Sequence, residues 1–154
     1  MTDATAPSSA LPLQGAALAR YILEHARSVA VLGAHPDASR PAHYVPAYLT
    51  EMGYQVLAVN PQCAGQQMFG HPAVASLTEL EAPVDVVDVF RRSDPLPGHL
   101  AEILAMQPLP RWVWLQKGVS HDEFAAELQS HGIQVVQDRC MLADHRAFGL
   151  PPRP

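Results

Sequence analysis

Short apolar runs alternate with segments of helical period along the 154 residues, and the connections between them are short. Those two observations predict an α/β fold: a Rossmann-like three-layer sandwich around a mostly parallel sheet of about five or six strands, because parallel neighbours need crossovers that cover both faces. The length supports one domain with a sizeable core.

Each element has its own signal. Residues 1–12 (MTDATAPSSALP) are small, polar and proline-bearing, and read as a loosely held lead-in. Over 13–27, Leu18, Tyr21, Ile22 and Leu23 recur at helical spacing. SVAVLG (28–33) is short, β-branched and closed by glycine, as a buried strand should be. A helix follows over 41–52. Pro41 suits its first turn, and Arg40 before it is pushed to the extended backbone of an N-cap. Val45, Tyr48, Leu49 and Met52 form its apolar face, Gly53 stops it, and Pro46 invites distortion. YQVLAV (54–59) is the second strand, closed by Asn60-Pro61. The loop 62–74 has room for one short strand around Val74. Ser76 opens a helical turn with Glu79 at capping-box spacing. Then come a strand over 84–90, a helix over 95–106 and a strand over 111–116. A helix runs from Ser120 to His131, with Glu123 at capping-box spacing and Gly132 as its stop; the last strand is 133–137. The domain spans 13–145, a helical turn is expected beyond 138, and 146–154 reads as a C-terminal tail.

Composition excludes several classes. Hydrophobic residues make up 48% and charged residues 16%, which is not the balance of a disordered chain. A net charge of -5 argues against a broad nucleic-acid face. Two cysteines are too few for a disulfide framework. Neither a signal-peptide pattern nor an apolar run of about 18 residues is present, so a soluble, cytoplasmic protein with no membrane partner is expected. Proline occurs 15 times and lysine once, at Lys117.

The chemistry is expected at the strand ends, where open parallel sheets bind ligands. After the first strand stands GAHPDASR, Gly33 to Arg40. Its glycine admits close backbone approach, the helix start offers free N–H groups, and Ser39 and Arg40 suit phosphate. An ordinary turn with a capping serine fits the same residues. One glycine stands where the dinucleotide fingerprint wants three, and the second strand ends in Asn60 rather than an acid, so NAD is disfavoured. Phe90, Arg91 and Arg92 close another strand, where a ring can lie on a base and a guanidinium can reach a phosphate. A solvated arginine pair is the alternative. Gln116, Lys117 and Gly118 close the next.

The runs VAVLGAHPDASRPAHYV, GYQVLAVNP, PVDVVDVFRR, VWLQKGV and VVQDRC, in this order, resemble the bacterial CoA-binding proteins, which are similar to the CoA-binding domain of the succinyl-CoA synthetase α subunit. The likeness covers roughly residues 15–145 and implies a Rossmann-like fold with CoA or acyl-CoA as ligand. Carried over by position, it implies that Gly33, His35, Pro36, Ser39 and Arg40 meet the phosphates of CoA. Val59, Asn60 and Pro61 would border the adenosine, with Phe90 and Arg91 or Arg92 across from them. Gln116, Lys117 and Gly118 would line the pantetheine path. The synthetase's phospho-histidine domain has no counterpart in these residues, so a binding protein without catalysis of its own is expected. A small NAD(P)- or acyl-CoA-dependent enzyme, and a CoA-binding subunit of a larger complex, are the alternatives; a homodimer is also compatible.

Other residues have plain readings. Cys140 is either a thiol near the sheet edge or a small buried hydrophobe. Cys140, Asp144 and His145 form one cluster where zinc motifs want paired spacings, so no metal is expected. Trp112 and Trp114 alternate with Val113, which places them in the core.

Overall fold

The computed structural model describes residues 13–93 and 95–154. The expected 1–12 lead-in lies outside them. The elements in chain order are α1 (Gly15–His25), β1 (Ser28–Leu32), α2 (Pro41–Glu51), β2 (Gln55–Val59), a two-stranded ribbon of β3 (Gln67–Met68) and β4 (His71–Pro72), β5 (Val86–Val89), α3 (Leu100–Leu104), β6 (Trp112–Leu115), α4 (Asp122–Gln129), β7 (Gln134–Val136) and α5 (Met141–Ala147). Short 3-10 turns occupy Pro61–Cys63, Leu77–Glu79 and Leu96–His99.

The main sheet has five strands in the order β2-β1-β5-β6-β7, and every pairing is parallel. This is the predicted Rossmann-like sandwich. The register pairs Val31 with Ala58 on one side and with Asp88 on the other. Alternate strand residues face opposite layers. Val29, Val31, Val86, Trp112 and Trp114 pack under α1, α2 and α5 with Leu18, Ile22, Leu49 and Met141. Leu32, Val87, Val89, Val113 and Leu115 pack under α3 and α4 with Ile103, Phe124 and Leu128. The three central strands are buried along their whole length, which is why they read as continuous apolar runs.

Three local expectations are corrected. The helix expected over 95–106 is a 3-10 turn followed by only five α-helical residues. Pro97 and Gly98 account for the break, since one lacks an N–H and the other costs helix stability. Ser120 is not the N-cap of α4; His121 is, and its Nδ1 accepts the Phe124 N–H at 3.1 Å. Ser120 instead donates its N–H to Ser93 Oγ, and His121 donates its own to Gln137 Oε1 at 2.6 Å, so the helix starts one residue later. The 62–74 loop holds the β3–β4 ribbon, and Val74 only bridges Val59.

The C-terminal residues return to the body. Arg153 donates its N–H to the Met52 carbonyl at 2.6 Å and its guanidinium to the Glu24 carbonyl. A Cβ at Gly53 would lie 2.7 Å from the Arg153 carbonyl oxygen, so the glycine that ends α2 also lets the chain end dock. Among the described residues, no helix is long and apolar enough to cross a membrane.

Candidate functional site

A ligand of an open parallel sheet sits beyond the carboxyl ends of the strands where the strand order reverses. From β1 the chain passes to β2 on one side, then returns to β5 on the other, so the reversal lies between β1 and β5. Gly33 follows β1, and Phe90 and Arg91 follow β5. Gly33 has φ +91°, and a Cβ there would lie 2.5 Å from the Phe90 carbonyl oxygen and 3.1 Å from Arg91 Cδ. The backbone of Gly33 and Phe90, with the Arg91 stem beside it, forms the floor of the crevice at this point.

Beside this floor, Gly33, Val59, Asn60, Pro61 and Arg91 line a hollow of about 240 Å³, and Gln62 and His99 complete its polar wall. Five predicted residues therefore converge, from the ends of three strands. Gln62 and His99 carried no strand-end signal in the sequence. Asn60 does not face the hollow as a free amide. Its Nδ2 donates to the Ala34 carbonyl at 2.8 Å, and its Oδ1 accepts the Gln62 N–H at 2.9 Å. It thereby ties the end of β2 to the loop after β1.

The other predicted residues lie around the hollow. His35, Pro36, Ser39 and Arg40 belong to the loop that enters α2. His35 Nδ1 accepts the Asp37 N–H at 3.0 Å, which leaves its ring proton on Nε2. Ser39 donates both its N–H, at 2.9 Å, and its hydroxyl, at 2.7 Å, to Asp37 Oδ1. These two bonds, backbone first, hold the Asp37 carboxyl below its usual range, with the Arg40 charge adding to them. The loop thus carries a carboxylate that competes for the very groups expected to meet phosphate. Arg40 stays 63% exposed, 3.9 Å from Asp37 Oδ2. The Phe90 ring packs into the core on the α1, α2 and α5 side, and Arg92 is exposed outside the hollow.

Gln116 is buried, and its Oε1 accepts the Met141 N–H at 3.2 Å, so it anchors the start of α5. Lys117 and Gly118 remain exposed at the end of β6. Asp138 Oδ1 accepts the Gly118 N–H at 2.7 Å and lies 3.9 Å from Lys117 Nζ. Cys140 is half-buried at the N-cap of α5, and Asp144 is held by Arg139 through two bonds of 2.7 and 2.9 Å. A second hollow, of about 200 Å³ beside Pro83, Val84 and Pro108, lies at the amino edge of the sheet, away from these groups.

The fold and the crevice are those of a Rossmann-like α/β domain that lacks the dinucleotide fingerprint. The chain belongs to the CoA binding domain family, which matches residues 27–146. It is 34% identical over 127 residues to the uncharacterized protein YneT of Bacillus subtilis, covering 82% of this chain and 90% of that one. A solved structure from Thermus thermophilus, cell-free ID.343, is 53% identical with a TM-score of 0.79, over 83% of this chain and 94% of that one. An acetyl-coenzyme A synthetase 1 of Ca. Korarchaeum cryptofilum shares the fold at 19% identity and a TM-score of 0.59, over 71% of this chain and 25% of the synthetase.

Proposed function

We propose that this chain binds CoA or acyl-CoA at the crevice between β1 and β5 and catalyses no reaction on its own. The observation that carries the reading is the convergence of Gly33, Asn60, Pro61 and Arg91 on one hollow at the point of strand reversal. The hollow is smaller than the roughly 300–1,000 Å³ of a whole-ligand site, which suits one part of a long ligand that continues over the surface. The fit at Gly33 is specific: its missing Cβ leaves the backbone open where a side chain would strike Phe90. CoA supplies an adenosine, a pyrophosphate, a 3′-phosphate and a thiol. Toward it, Gly33 offers an open backbone edge, Val59 and Pro61 an apolar wall, and Arg91 a cation. The exposed Arg40 and Lys117 flank the crevice and draw a polyanion to a chain of net charge -5. His35, Pro36, Ser39, Arg92, Phe90, Gln116 and Gly118 surround or support that path.

Titration calorimetry with CoA, NAD, NADP and ATP tests this. Heat with CoA and none with NAD is expected. No binding of CoA at high micromolar concentration overturns it, as does turnover of any acyl-CoA by the isolated chain. The mass of a ligand that co-purifies with the native protein gives an independent answer.

A further inference from the structure

One imidazole in the strand-end hollow, that of His99, is held by a carboxylate. His99 closes the 3-10 turn before α3 and lines the hollow opposite the strand ends. Its Nδ1 lies 2.9 Å from Glu102 Oε1, and both side chains are about four-fifths buried, at 21% and 19% exposed. The second oxygen of Glu102 accepts the Leu77 N–H at 2.7 Å and the Ser76 hydroxyl at 3.0 Å. Burial works against ionisation of Glu102, but the bonds from His99, Leu77 and Ser76 outweigh it and hold the carboxyl below its usual range. An ionised carboxylate only accepts hydrogen bonds, so the ring carries its proton on Nδ1 and leaves Nε2 for the hollow. Two chain segments, the turn at Ser76 and helix α3, thus fix one ring.

In sheets of this kind the end of the second strand is where a ribose sits. An acid there holds bare ribose hydroxyls, whereas an arginine nearby accommodates a ribose phosphate. Here that position is Asn60, whose amide is engaged within the chain, and none of the described residues lining the hollow is acidic. Its charged member is Arg91, and His99 is the other titratable group. A protonated imidazole whose Nδ1–H is held by a carboxylate can donate its Nε2–H to an anion in the hollow.

We infer that Arg91 and His99, the latter positioned by Glu102, form a subsite for a phosphomonoester on the ribose of the bound nucleotide. This rests on the CoA reading, since CoA carries such a group as its 3′-phosphate. The chain therefore selects CoA over dephospho-CoA, which has a hydroxyl there and is otherwise the same molecule.

Calorimetry with these two ligands on the wild type, His99→Gln, Glu102→Gln and Arg91→Gln tests it. The wild type should prefer CoA by roughly ten- to hundredfold, the worth of a charge-assisted hydrogen bond. His99→Gln should weaken CoA binding about tenfold more than dephospho-CoA binding, with Arg91→Gln behaving alike. Glu102→Gln should shift the same ratio in the same direction, which loss of local packing alone does not do. Equal affinity of the wild type for the two ligands overturns the subsite and leaves the CoA reading standing, and so does a His99→Gln variant that loses both ligands equally. A wild type that binds neither overturns the CoA reading itself.

Discussion

Gly33 and Phe90 meet backbone to backbone: a Cβ on the glycine would lie 2.5 Å from the Phe90 carbonyl oxygen, at a φ of +91°. This contact sets the spacing of the β1 and β5 ends, and so the floor of the crevice. Gly33→Ala should therefore act on stability and on ligand together. The left-handed backbone costs about 1–2 kcal/mol, and the overpacking about 1–3 kcal/mol more. Thermal or denaturant unfolding should show a loss of about 2–5 kcal/mol, with CoA affinity falling as well. A Gly33→Ala chain with the wild-type unfolding midpoint would show that the strand ends separate freely.

Asp88 presents a different tension. It stands on the central strand β5 between Val31 and Trp114, fully buried, and neither carboxylate oxygen has a hydrogen-bond partner. Burial pushes its carboxyl well above the usual range. The sign follows from proton counting. Above the ordinary carboxylate value of about 3.9 the unfolded chain has released this proton and the folded chain still holds it. Stability from this group is thus full below that value and falls by about 1.4 kcal/mol per pH unit until the folded group ionises. Asp88→Asn should remove that slope and gain on the wild type as pH rises from 5 to 8. Parallel pH profiles for the two chains would contradict it.

His145 titrates in the opposite sense. It is 1% exposed, its Nδ1 lies 2.7 Å from the Tyr48 hydroxyl, and its Nε2 has no hydrogen-bond partner. Burial lowers its pKa from 6.5, with the Pro151 backbone opposing. Below about 6.5 the unfolded chain binds a proton that the folded chain does not. Its contribution is therefore present above 6.5 and lost as pH falls toward the folded value. His145→Gln should flatten the acid side of the stability profile between pH 6.5 and 5. Tyr48→Phe should cost about 0.5–1.5 kcal/mol through the lost hydrogen bond.

How far the sequence reached follows from the range of each signal. The three central strands were legible because their burial is continuous, and the edge strands because they are short and β-branched; Gly33 and Asn60 mark the ends of β1 and β2. The crevice was legible in outline, since parallel strands bring all their carboxyl ends to one edge. What failed depends on partners distant in sequence. Ser120 carries a good capping signal, but Ser93, brought in from the β5 loop, takes its N–H. Gln116 has the polarity of a lining residue, but the fold places Met141 against it. His99 and Glu102 are visible only as a pair three residues apart. Their meaning appears once Ser76 and Leu77 arrive from 25 residues upstream. Asp88 reads as one polar residue in an apolar run, and only burial shows that it is unpartnered.

The two adjacent arginines give the sharpest test of the candidate site. Sequence alone makes Arg91 and Arg92 equivalent, because both follow a strand and both carry the same charge. The fold separates them. Both are exposed, but Arg91 lies against Gly33, with its Cδ 3.1 Å from the Cβ position there, and lines the hollow, whereas Arg92 does not. A guanidinium that meets phosphate in a half-enclosed hollow makes charge-assisted bonds, worth about 1.5–3 kcal/mol, whereas a solvated one adds only screened attraction. Arg91→Ala should therefore weaken CoA binding by about 1.5–3 kcal/mol, with part of that loss persisting at high salt because direct hydrogen bonds to phosphate outlast screening. Arg92→Ala should change it by less than about 0.5 kcal/mol, and that difference should vanish at about 1 M salt. Titrations of both variants at low and high ionic strength measure this. Equal losses in the two, or a larger loss for Arg92→Ala, would move the phosphate site out of the hollow and onto the exposed loop.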